Sequence, residues 1–255
     1  MNCKGLLLDI EGTLTHQGAL IAGAAESLAW LHEQGLDYRL LTNITARSPA
    51  TISAELAALG LAVPAQHIQT ATTACVAWLR ARQGCSSYLL VPDPVRPLFD
   101  GLLINERNPD YVVIGDIGQA FCYDNLNRVF RLLSGGARLI ALQKNPFWFA
   151  ADGPSLDCGA FVAALEYASG QTAQVTGKPS SLFFEMALQS IGCQAREVLV
   201  IGDDPGTDMA GASGIGVRSV RVLTGKSAGL QRDDSGLASY CLASIAGLPQ
   251  LLVQL

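Results

Sequence analysis

Three short apolar runs of this sequence lead directly into clusters of acidic, hydroxyl and amide side chains. The runs are Gly5–Leu8, Tyr38–Leu41 and Val198–Ile201. The clusters that follow them are Asp9-Ile10-Glu11-Gly12-Thr13, Thr42-Asn43 and Gly202-Asp203-Asp204-Pro205-Gly206-Thr207-Asp208. Asp, Gly and Thr are also ordinary turn residues at strand ends, so any one cluster alone has that simpler explanation. The three clusters together indicate a functional site.

Crowded carboxylates in these clusters predict a bound cation. The acidic residues concerned are Asp9, Glu11, Asp203, Asp204 and Asp208. Carboxylates that share a small volume cannot all be ionised without a compensating positive charge. Ligands that are all oxygen suit a hard ion, and Mg²⁺ is the usual choice where the substrate carries phosphate. If Ile10 is extended, Asp9 and Glu11 project to the same side, so one can attack while the other transfers protons.

Lys178 is a candidate partner for the anionic part of a substrate. It lies in Thr176-Gly177-Lys178-Pro179-Ser180, just before a predicted helix whose N-terminus favours anions. The chain has only four lysines, so it does not build a surface of salt bridges with them. A solvent-exposed surface lysine is the alternative. The turn around Lys178 favours a clamp for phosphate or carboxylate.

These clusters can meet only if the strands before them are parallel, because ligands bind at the carboxyl edge of a parallel sheet. Short apolar runs alternate with helical patterns, which is typical of βαβ units. Near the chain ends, helices are expected over 22–34, 49–59 and 180–191, each followed by glycine. In the middle, strands are expected over 88–91, 111–114 and 138–142, with helices over 124–133 and 160–168.

The order of these elements predicts one α/β domain inserted in another. Residues 1–70 and 176–255 form the predicted core, which is a Rossmann-like, doubly wound parallel sheet with helices. Residues 71–175 begin an alternation of their own and form the predicted inserted α/β domain. Pro64 with the threonines at 70–73 marks one boundary, and 176–179 marks the other.

Composition narrows the class of partner and the compartment. The formal net charge of −5 argues against nucleic acid, whose phosphates attract Lys and Arg. Mean hydropathy is +0.29, but the two long uncharged stretches, 56–79 and 235–255, contain proline and several polar residues, so no membrane span is expected. Near the N-terminus, Lys4 and three leucines are followed at once by Asp9, so no signal peptide is expected. Seven scattered cysteines without a Cys-x-x-Cys pair indicate thiols in a reducing cytoplasm.

The motifs resemble those of the haloacid dehalogenase (HAD) superfamily. Asp9–Thr13, Thr42-Asn43, Gly177-Lys178-Pro179 and Gly202–Asp208 look like its four motifs, in order. The large insert resembles the type II cap of subclass IIA, which includes the NagD-like enzymes and the p-nitrophenyl phosphatases. Within it, Asn108–Gly115 and Ala164–Ala168 are similar to the branch of phospholysine phosphohistidine inorganic pyrophosphate phosphatases and HAD-like hydrolase domain-containing protein 2.

The resemblance implies a role for each motif residue. Asp9 would be the nucleophile that forms an aspartyl-phosphate, and Glu11 the general acid that later activates water. Thr42, Asn43 and Lys178 would hold the phosphoryl oxygens as charge develops.

The resemblance also implies how the metal is held. Mg²⁺ would be bound by Asp9, the backbone carbonyl of Glu11 and Asp203. Asp204 or Asp208 would hold its waters or Lys178, and which of the two does so is left open.

The cap is expected to select the substrate. Lys144 and Asn145, Asp152-Gly153 and Asp157–Gly159 lie where the family places its substrate-facing cap loop. Phe147-Trp148-Phe149 is either an aromatic wall of the site or part of the cap's own core or a dimer contact. A homodimer through the cap is left open. His16 lies near the first motif, and a solvated loop histidine is the favoured interpretation.

The sequence thus predicts a Mg²⁺-dependent phosphatase. Its substrate would be a small phosphorylated metabolite, either a phosphoester, a phosphoamide or pyrophosphate. Most phosphatases of the superfamily carry Asp where this chain has Glu11, although the similar enolase-phosphatases also use Glu. The alternative is therefore a catalytically weak or inactive protein that acts as a ligand-binding or regulatory module. A signalling receiver domain would also use Asp, Thr, Lys and Mg²⁺, but it is about half this length and its Asp follows a middle strand.

Overall fold

The computed structural model describes residues 3–150 and 153–255. The described chain divides into two compact units. The first comprises the described residues up to Thr42 together with Pro49–Gln69 and Lys178–Leu255, and the second comprises those of Asn43–Ser48 and Thr70–Gly177. The domain boundaries given above, 1–70 and 176–255 against 71–175, stay predictions.

The strands and helices alternate along most of the chain. The strands are β1 (Gly5–Asp9), β2 (Thr15–His16), β3 (Ala19–Leu20), β4 (Asp37–Thr42), β5 (Ile68–Thr70), β6 (Ser86–Leu90), β7 (Leu103–Ile104), β8 (Tyr111–Ile114), β9 (Arg138–Ala141), β10 (Phe147–Ala150), β11 (Gly153–Leu156), β12 (Gln174–Val175), β13 (Val198–Gly202), β14 (Arg218–Val222) and β15 (Tyr240–Leu242). The helices are α1 (Ala24–Glu33), α2 (Pro49–Ala58), α3 (Ala71–Arg80), α4 (Tyr123–Ser134), α5 (Cys158–Ser169), α6 (Ser181–Ser190), α7 (Ala210–Gly214) and α8 (Leu248–Gln254). Among the described residues, none of these helices has the length and apolar character needed to cross a membrane.

The first unit is built on a six-stranded sheet in the order β15-β14-β13-β1-β4-β5. β1 lies parallel to both β4 and β13, and β14 and β15 continue the parallel arrangement beyond β13. Starting at β1, the chain builds outward through β4 and β5 and later returns to β13 on the other side. The strand order therefore reverses between β1 and β13, which makes this point the topological switch of a doubly wound sheet.

The sequences of β1 and β13 explain their central place. Every residue of both strands is buried. Helical crossovers cover both faces of a parallel sheet, so its inner strands are continuous apolar runs rather than alternating ones. The chain becomes polar where each of these strands ends, at Asp9 and at Asp203. A small antiparallel hairpin, β2–β3, follows β1 directly.

The second unit contains a five-stranded parallel sheet in the order β12-β9-β8-β6-β7. Alternate strand residues point to opposite faces, so each face forms its own core. On one face, Val112 and Ile114 pack in a cluster with residues of α4 and α5. On the other face, Val113 packs in a cluster with residues of α3. An antiparallel hairpin, β10–β11, belongs to the same unit.

The predicted fold class is confirmed, with small shifts at most element ends. The strand predicted over 111–114 matches β8, whereas the strand predicted over 88–91 begins earlier, at Ser86. Helix α3 was not predicted, because its first turn is rich in threonine. It forms behind a capping box in which the Thr70 hydroxyl accepts from the Thr73 amide and Thr73 reciprocates.

Candidate active site

Three buried carboxylates meet at the switch point of the first unit's sheet. Asp9, Asp203 and Asp208 each offer an oxygen, and these oxygens lie within 4.8 Å of one another. Asp9 ends β1, and Asp203 directly follows β13. Because Leu8 pairs in register with Ile201, the first two carboxylates leave neighbouring strands at nearly the same height.

Lys178 is the cation of this cluster. Its Nζ lies 2.5 Å from Asp9 Oδ1 and 2.7 Å from Asp208 Oδ1. The ammonium is buried, so water does little to weaken these ion pairs. Thr13 adds a longer hydrogen bond of 3.3 Å from its hydroxyl to the other oxygen of Asp9. Both oxygens of Asp9 are therefore directed by the protein.

Glycines enclose the carboxylate of Asp203. A Cβ on Gly12 would lie 2.2 Å from Asp203 Oδ2, and a Cβ on Gly225 would lie equally close. Both glycines have positive φ, 91° and 54°, which other residues rarely adopt. The backbone therefore approaches this carboxylate more closely than any side-chain-bearing residue would allow.

A turn after β13 aims Asp208 and separates it from Asp204. Asp204 caps the π-helical turn Pro205–Met209 and accepts from the Gly206 amide at 2.8 Å. Asp208 lies one turn later, and its Oδ2 accepts from the Asp204 amide at 3.3 Å. Asp204 Oδ2 instead pairs with Lys226 Nζ at 2.6 Å. Of the two candidates left open by the sequence, Asp208 contacts Lys178 and joins the cluster.

The loop after β14 supplies contacts that the sequence did not predict. The Lys226 amide donates to Asp203 Oδ2 at 2.6 Å, and the Thr224 hydroxyl donates to the Gly12 carbonyl at 2.5 Å. The Gly-Lys-Ser sequence at 225–227 is the signal that could have indicated this loop. It was missed because it follows the fourth motif by some twenty residues.

Glu11 lies between β1 and the β2–β3 hairpin, forms an isolated bridge with Thr15, and has an exposed side chain. The Glu11 carboxylate accepts hydrogen bonds from the Thr15 hydroxyl at 3.1 Å and from the backbone N–H of Gln17 at 3.0 Å. His16 Nδ1 lies 3.3 Å from the same carboxylate. His16 is thus solvent-exposed, as the sequence favoured, although it lies in the two-residue strand β2 rather than in a loop.

The ionisation of the cluster reflects its burial. Burial raises the pKa of Asp9, although Lys178 opposes that shift. Burial likewise raises the pKa of Asp203 to about 6 and that of Asp208 to about 7. Burial alone would lower the pKa of Lys178, but Asp208 and Asp9 hold it above its usual value. The lysine therefore stays charged while the carboxyls compete for protons.

The donor set fits a hard divalent cation. Three carboxylates face one ammonium, so full ionisation leaves negative charge in surplus. All three donors are oxygens, which suits Mg²⁺ rather than a soft metal. Burial is the main cause of the raised pKa values of Asp203 and Asp208, and repulsion from the neighbouring carboxylates adds to it. The residues present thus fit a cation bound beside Lys178.

The other predicted site residues lie in different surroundings. Thr42 ends β4 and is buried, one position beyond Leu41, which pairs with Asp9. Asn43 belongs to the second unit.

In the second unit, Lys144 Nζ pairs with both carboxylate oxygens of Glu166, at 3.0 and 2.8 Å. The backbone N–H of Asn145 donates a hydrogen bond to Oε1 of Gln143. The predicted cap residue Asp152 lies outside the described residues. The roles of these residues stay predictions.

Comparison with known proteins gives two family matches. A model described as haloacid dehalogenase-like hydrolase matches residues 6–102, and one described as HAD-hydrolase-like matches residues 175–248. The phospholysine phosphohistidine inorganic pyrophosphate phosphatase of Homo sapiens is 40% identical over 229 residues, which cover 88% of this chain and 84% of that protein.

The chain belongs to the haloacid dehalogenase-like hydrolases. The Bos taurus haloacid dehalogenase-like hydrolase domain-containing protein 2 is 38% identical over 93% of this chain and 90% of that protein. Among solved structures, NagD from E. coli K-12 superposes with a TM-score of 0.85 and 26% identity, covering 96% of this chain and 98% of NagD.

These findings confirm the resemblance to subclass IIA and the predicted hydrolase class. Relatives and structural neighbours of this HAD-like hydrolase are named phosphatases. The first matched region contains Asp9, and the second contains Lys178, Asp203 and Asp208. The buried cluster therefore lies within the parts of the chain that define the family.

Proposed function

We propose that this protein is a Mg²⁺-dependent phosphatase that hydrolyses a small phosphorylated metabolite through an aspartyl-phosphate. The observation that carries the proposal is the cluster of Asp9, Asp203 and Asp208 around Lys178 at the switch point of the sheet. The names of the relatives support the reaction class. A bound Mg²⁺ would neutralise the surplus charge and draw electron density from the phosphoryl group.

Asp9 is the proposed nucleophile. Its carboxylate oxygen forms a bond to phosphorus while the bond from phosphorus to the leaving oxygen or nitrogen breaks. Thr13 and Lys178 contact its two oxygens and would fix the direction of attack. Water then attacks phosphorus, releases inorganic phosphate and returns Asp9 as a carboxylate. Both transfers are displacements at phosphorus, so no oxidant or reductant is needed.

Glu11 is the proposed general acid and base. It would give a proton to the leaving group in the first step and take one from water in the second. Its side chain is exposed and supported by Thr15 and the Gln17 amide, so it can exchange protons with solvent between steps. Lys178 and Thr42 would contact the phosphoryl oxygens as their charge develops.

The chemical class of the substrate is taken from the relatives. The human relative's name specifies phospholysine, phosphohistidine and inorganic pyrophosphate. Phosphoamides and pyrophosphate therefore belong in the first panel of substrates, together with phosphoesters such as p-nitrophenyl phosphate. Lys144 and Asn145 stay proposed substrate-binding residues of the cap. A cytoplasmic location, the absence of nucleic-acid and membrane partners and a homodimer through the cap also stay predictions.

A turnover assay over that panel tests the proposal. The purified protein is assayed with and without Mg²⁺, and Asp9→Asn is compared with Asp100→Asn, an exposed aspartate of the second unit. Mg²⁺-dependent release of phosphate by the wild type and by Asp100→Asn, but not by Asp9→Asn, is expected. If none of the three proteins releases phosphate from any substrate of the panel, the proposed phosphatase activity is contradicted.

One observation favours the alternative of a weak or inactive binding module. The carboxylate of Glu11 is held on the hairpin by Thr15, His16 and the Gln17 amide, and it does not join the buried cluster. Such a module would bind Mg²⁺ and a phosphate analogue such as orthovanadate with no turnover. If the protein releases no phosphate in the assay but binds Mg²⁺ and orthovanadate in calorimetry, the binding module is the correct interpretation.

A further inference from the structure

The loop after β14 holds Asp203 at both its side chain and its main chain. The Lys226 amide donates to the Asp203 carboxylate at 2.6 Å. The Ser227 hydroxyl donates to the Asp203 backbone carbonyl at 2.6 Å, and Ser227 is fully buried. The position of this carboxylate therefore depends on the position of two consecutive loop residues.

Arg221 in turn holds Ser227. A carbonyl oxygen can only accept, so the single proton of the Ser227 hydroxyl is committed to Asp203. The lone pairs of the hydroxyl are then left for Arg221, whose Nε donates to Ser227 Oγ at 2.9 Å. A charged donor polarises the hydroxyl and strengthens the next bond in the series. The result is a directed relay from Arg221 through Ser227 to Asp203.

The guanidinium is fixed from its other end as well. Nη1 lies 2.5 Å from Asp233 Oδ1 and 2.6 Å from Asp234 Oδ1. Asp233 is itself held by the Ser235 hydroxyl at 2.7 Å. Arg221 pairs in register with Gly202, the residue before Asp203, so the relay runs between adjacent strands.

Because Arg221 is buried, a contribution to folding stability is a poor explanation for its presence. Its side chain is only 3% exposed. A buried ion pair loses its hydration, and well-packed apolar side chains of similar volume are often as stable or more so. What the guanidinium supplies, and an apolar side chain would not, is a donor aimed at Ser227.

We propose that Arg221 is a positioning residue for the metal-binding carboxylate of Asp203 and acts through Ser227. This inference rests on the proposed function, because it takes Asp203 as a ligand of Mg²⁺. It adds a part of the site, Arg221 with Ser227, Asp233 and Asp234, that none of the four sequence motifs contains.

Calorimetric titration of the full chain with Mg²⁺, without substrate, tests the inference. Ser227→Ala removes the relay with the smallest change in volume, and Arg221→Met removes its charge. Arg218→Met is the matched control, since Arg218 lies on the same strand and donates to the Tyr240 hydroxyl at 3.1 Å instead. Loss of a group that supports a metal ligand typically weakens metal binding about 10- to 100-fold. We expect that increase in the Kd for Mg²⁺ for both relay variants, and a wild-type Kd for Arg218→Met.

Steady-state kinetics separate positioning from general damage. At saturating Mg²⁺, Ser227→Ala should recover most of the wild-type kcat with an unchanged KM for the substrate. The Arg221→Met/Ser227→Ala double variant should have about the same Kd for Mg²⁺ as whichever single variant binds Mg²⁺ less tightly. The two effects should not add, because both substitutions interrupt the same relay. If Arg221→Met does not fold, Ser227→Ala alone carries the test.

Two outcomes overturn the inference in distinguishable ways. Wild-type affinity for Mg²⁺ in a folded Ser227→Ala protein refutes the relay and leaves the proposed phosphatase intact. No detectable Mg²⁺ binding by the wild type refutes the metal site itself, and the positioning role falls with it.

Discussion

Both units contain a parallel sheet flanked by helices, but the polar groups beyond their strand ends are organised differently. In the second unit, Asp157 is the one buried carboxylate among the described residues. It accepts from Gln143 at 2.5 Å and from the Cys158 amide at 2.6 Å, as the N-cap of α5. In the first unit, three buried carboxylates lie together, and Lys178 forms ion pairs with two of them, Asp9 and Asp208.

The difference lies in whether the polar groups satisfy one another. Asp157 has neutral donors and fulfils an ordinary capping role, so its surroundings require no ligand. The cluster of the first unit carries more carboxylates than Lys178 can neutralise when all three are ionised. The two units thus share an architecture, and the crowded carboxylates, rather than the sheet, distinguish the proposed active site.

The strongest test of this contrast removes the proposed nucleophile. Asp9→Asn should lower kcat by at least about 10³-fold, because an amide cannot form the covalent intermediate. The amide is nearly the same size as the carboxylate, so the fold should remain. Turnover of p-nitrophenyl phosphate with Mg²⁺ measures the loss, and activity within tenfold of the wild type would remove Asp9 from the mechanism.

Removal of the central cation should damage stability in the absence of metal. Lys178→Met leaves buried carboxylates without their partner, a change that typically costs about 3–5 kcal/mol. Urea unfolding with and without Mg²⁺ measures this, and added Mg²⁺ should restore part of the loss. Lys4→Met is the control, because the Lys4–Glu197 pair is at the surface, where solvent screens it, and its loss should change the free energy of unfolding far less. Equal losses for the two variants would contradict the contrast.

The corresponding change in the second unit should alter stability alone. Asp157→Ala removes the cap of α5 and leaves Gln143 without its buried partner, which should lower the free energy of unfolding by about 1–3 kcal/mol. The Kd for Mg²⁺, measured by calorimetry, should not change. Weakened Mg²⁺ binding in this variant would mean that the two regions are not distinct in function.

The smallest expected effect is a dependence of stability on pH. The pKa values of about 6 for Asp203 and about 7 for Asp208 lie above those of the unfolded chain. The folded protein therefore binds more protons than the unfolded chain between about pH 4 and these values, and metal-free stability falls as pH rises through that window. Mg²⁺ prefers the ionised carboxylates, so the rise in Tm that it causes should be larger at pH 8 than at pH 5.5. Differential scanning calorimetry measures both trends, and Asp208→Asn should weaken them.

The sequence predicted the strands of the first unit and the residues at their ends because buried parallel strands leave a clear apolar signal. Asp9, Asp203 and Lys178 were each placed beside a strand or helix end, and the structure brings them together. The sequence could not separate Asp204 from Asp208. That choice depends on the π-helical turn and on Lys226, a partner more than twenty residues away.

Side-chain direction was harder to predict than position. Glu11 was expected to project with Asp9, but the chain turns at Gly12 and the Glu11 carboxylate meets the hairpin. Phe147 and Trp148 form part of β10, where each is about half exposed, so neither belongs to a buried core. Such orientations depend on tertiary contacts that leave no periodic signal in the sequence.

The glycines around Asp203 bear on the entropy of ion binding. An aspartate in an open site samples several rotamers and must give up that freedom when it coordinates an ion. The backbone at Gly12 and Gly225 lies close to the Asp203 carboxylate, and the Lys226 backbone amide donates to it, so the chain gives up part of this freedom when it folds. If a cation binds here as proposed, ordering the Asp203 side chain would therefore subtract less from the entropy gained when the ion releases water.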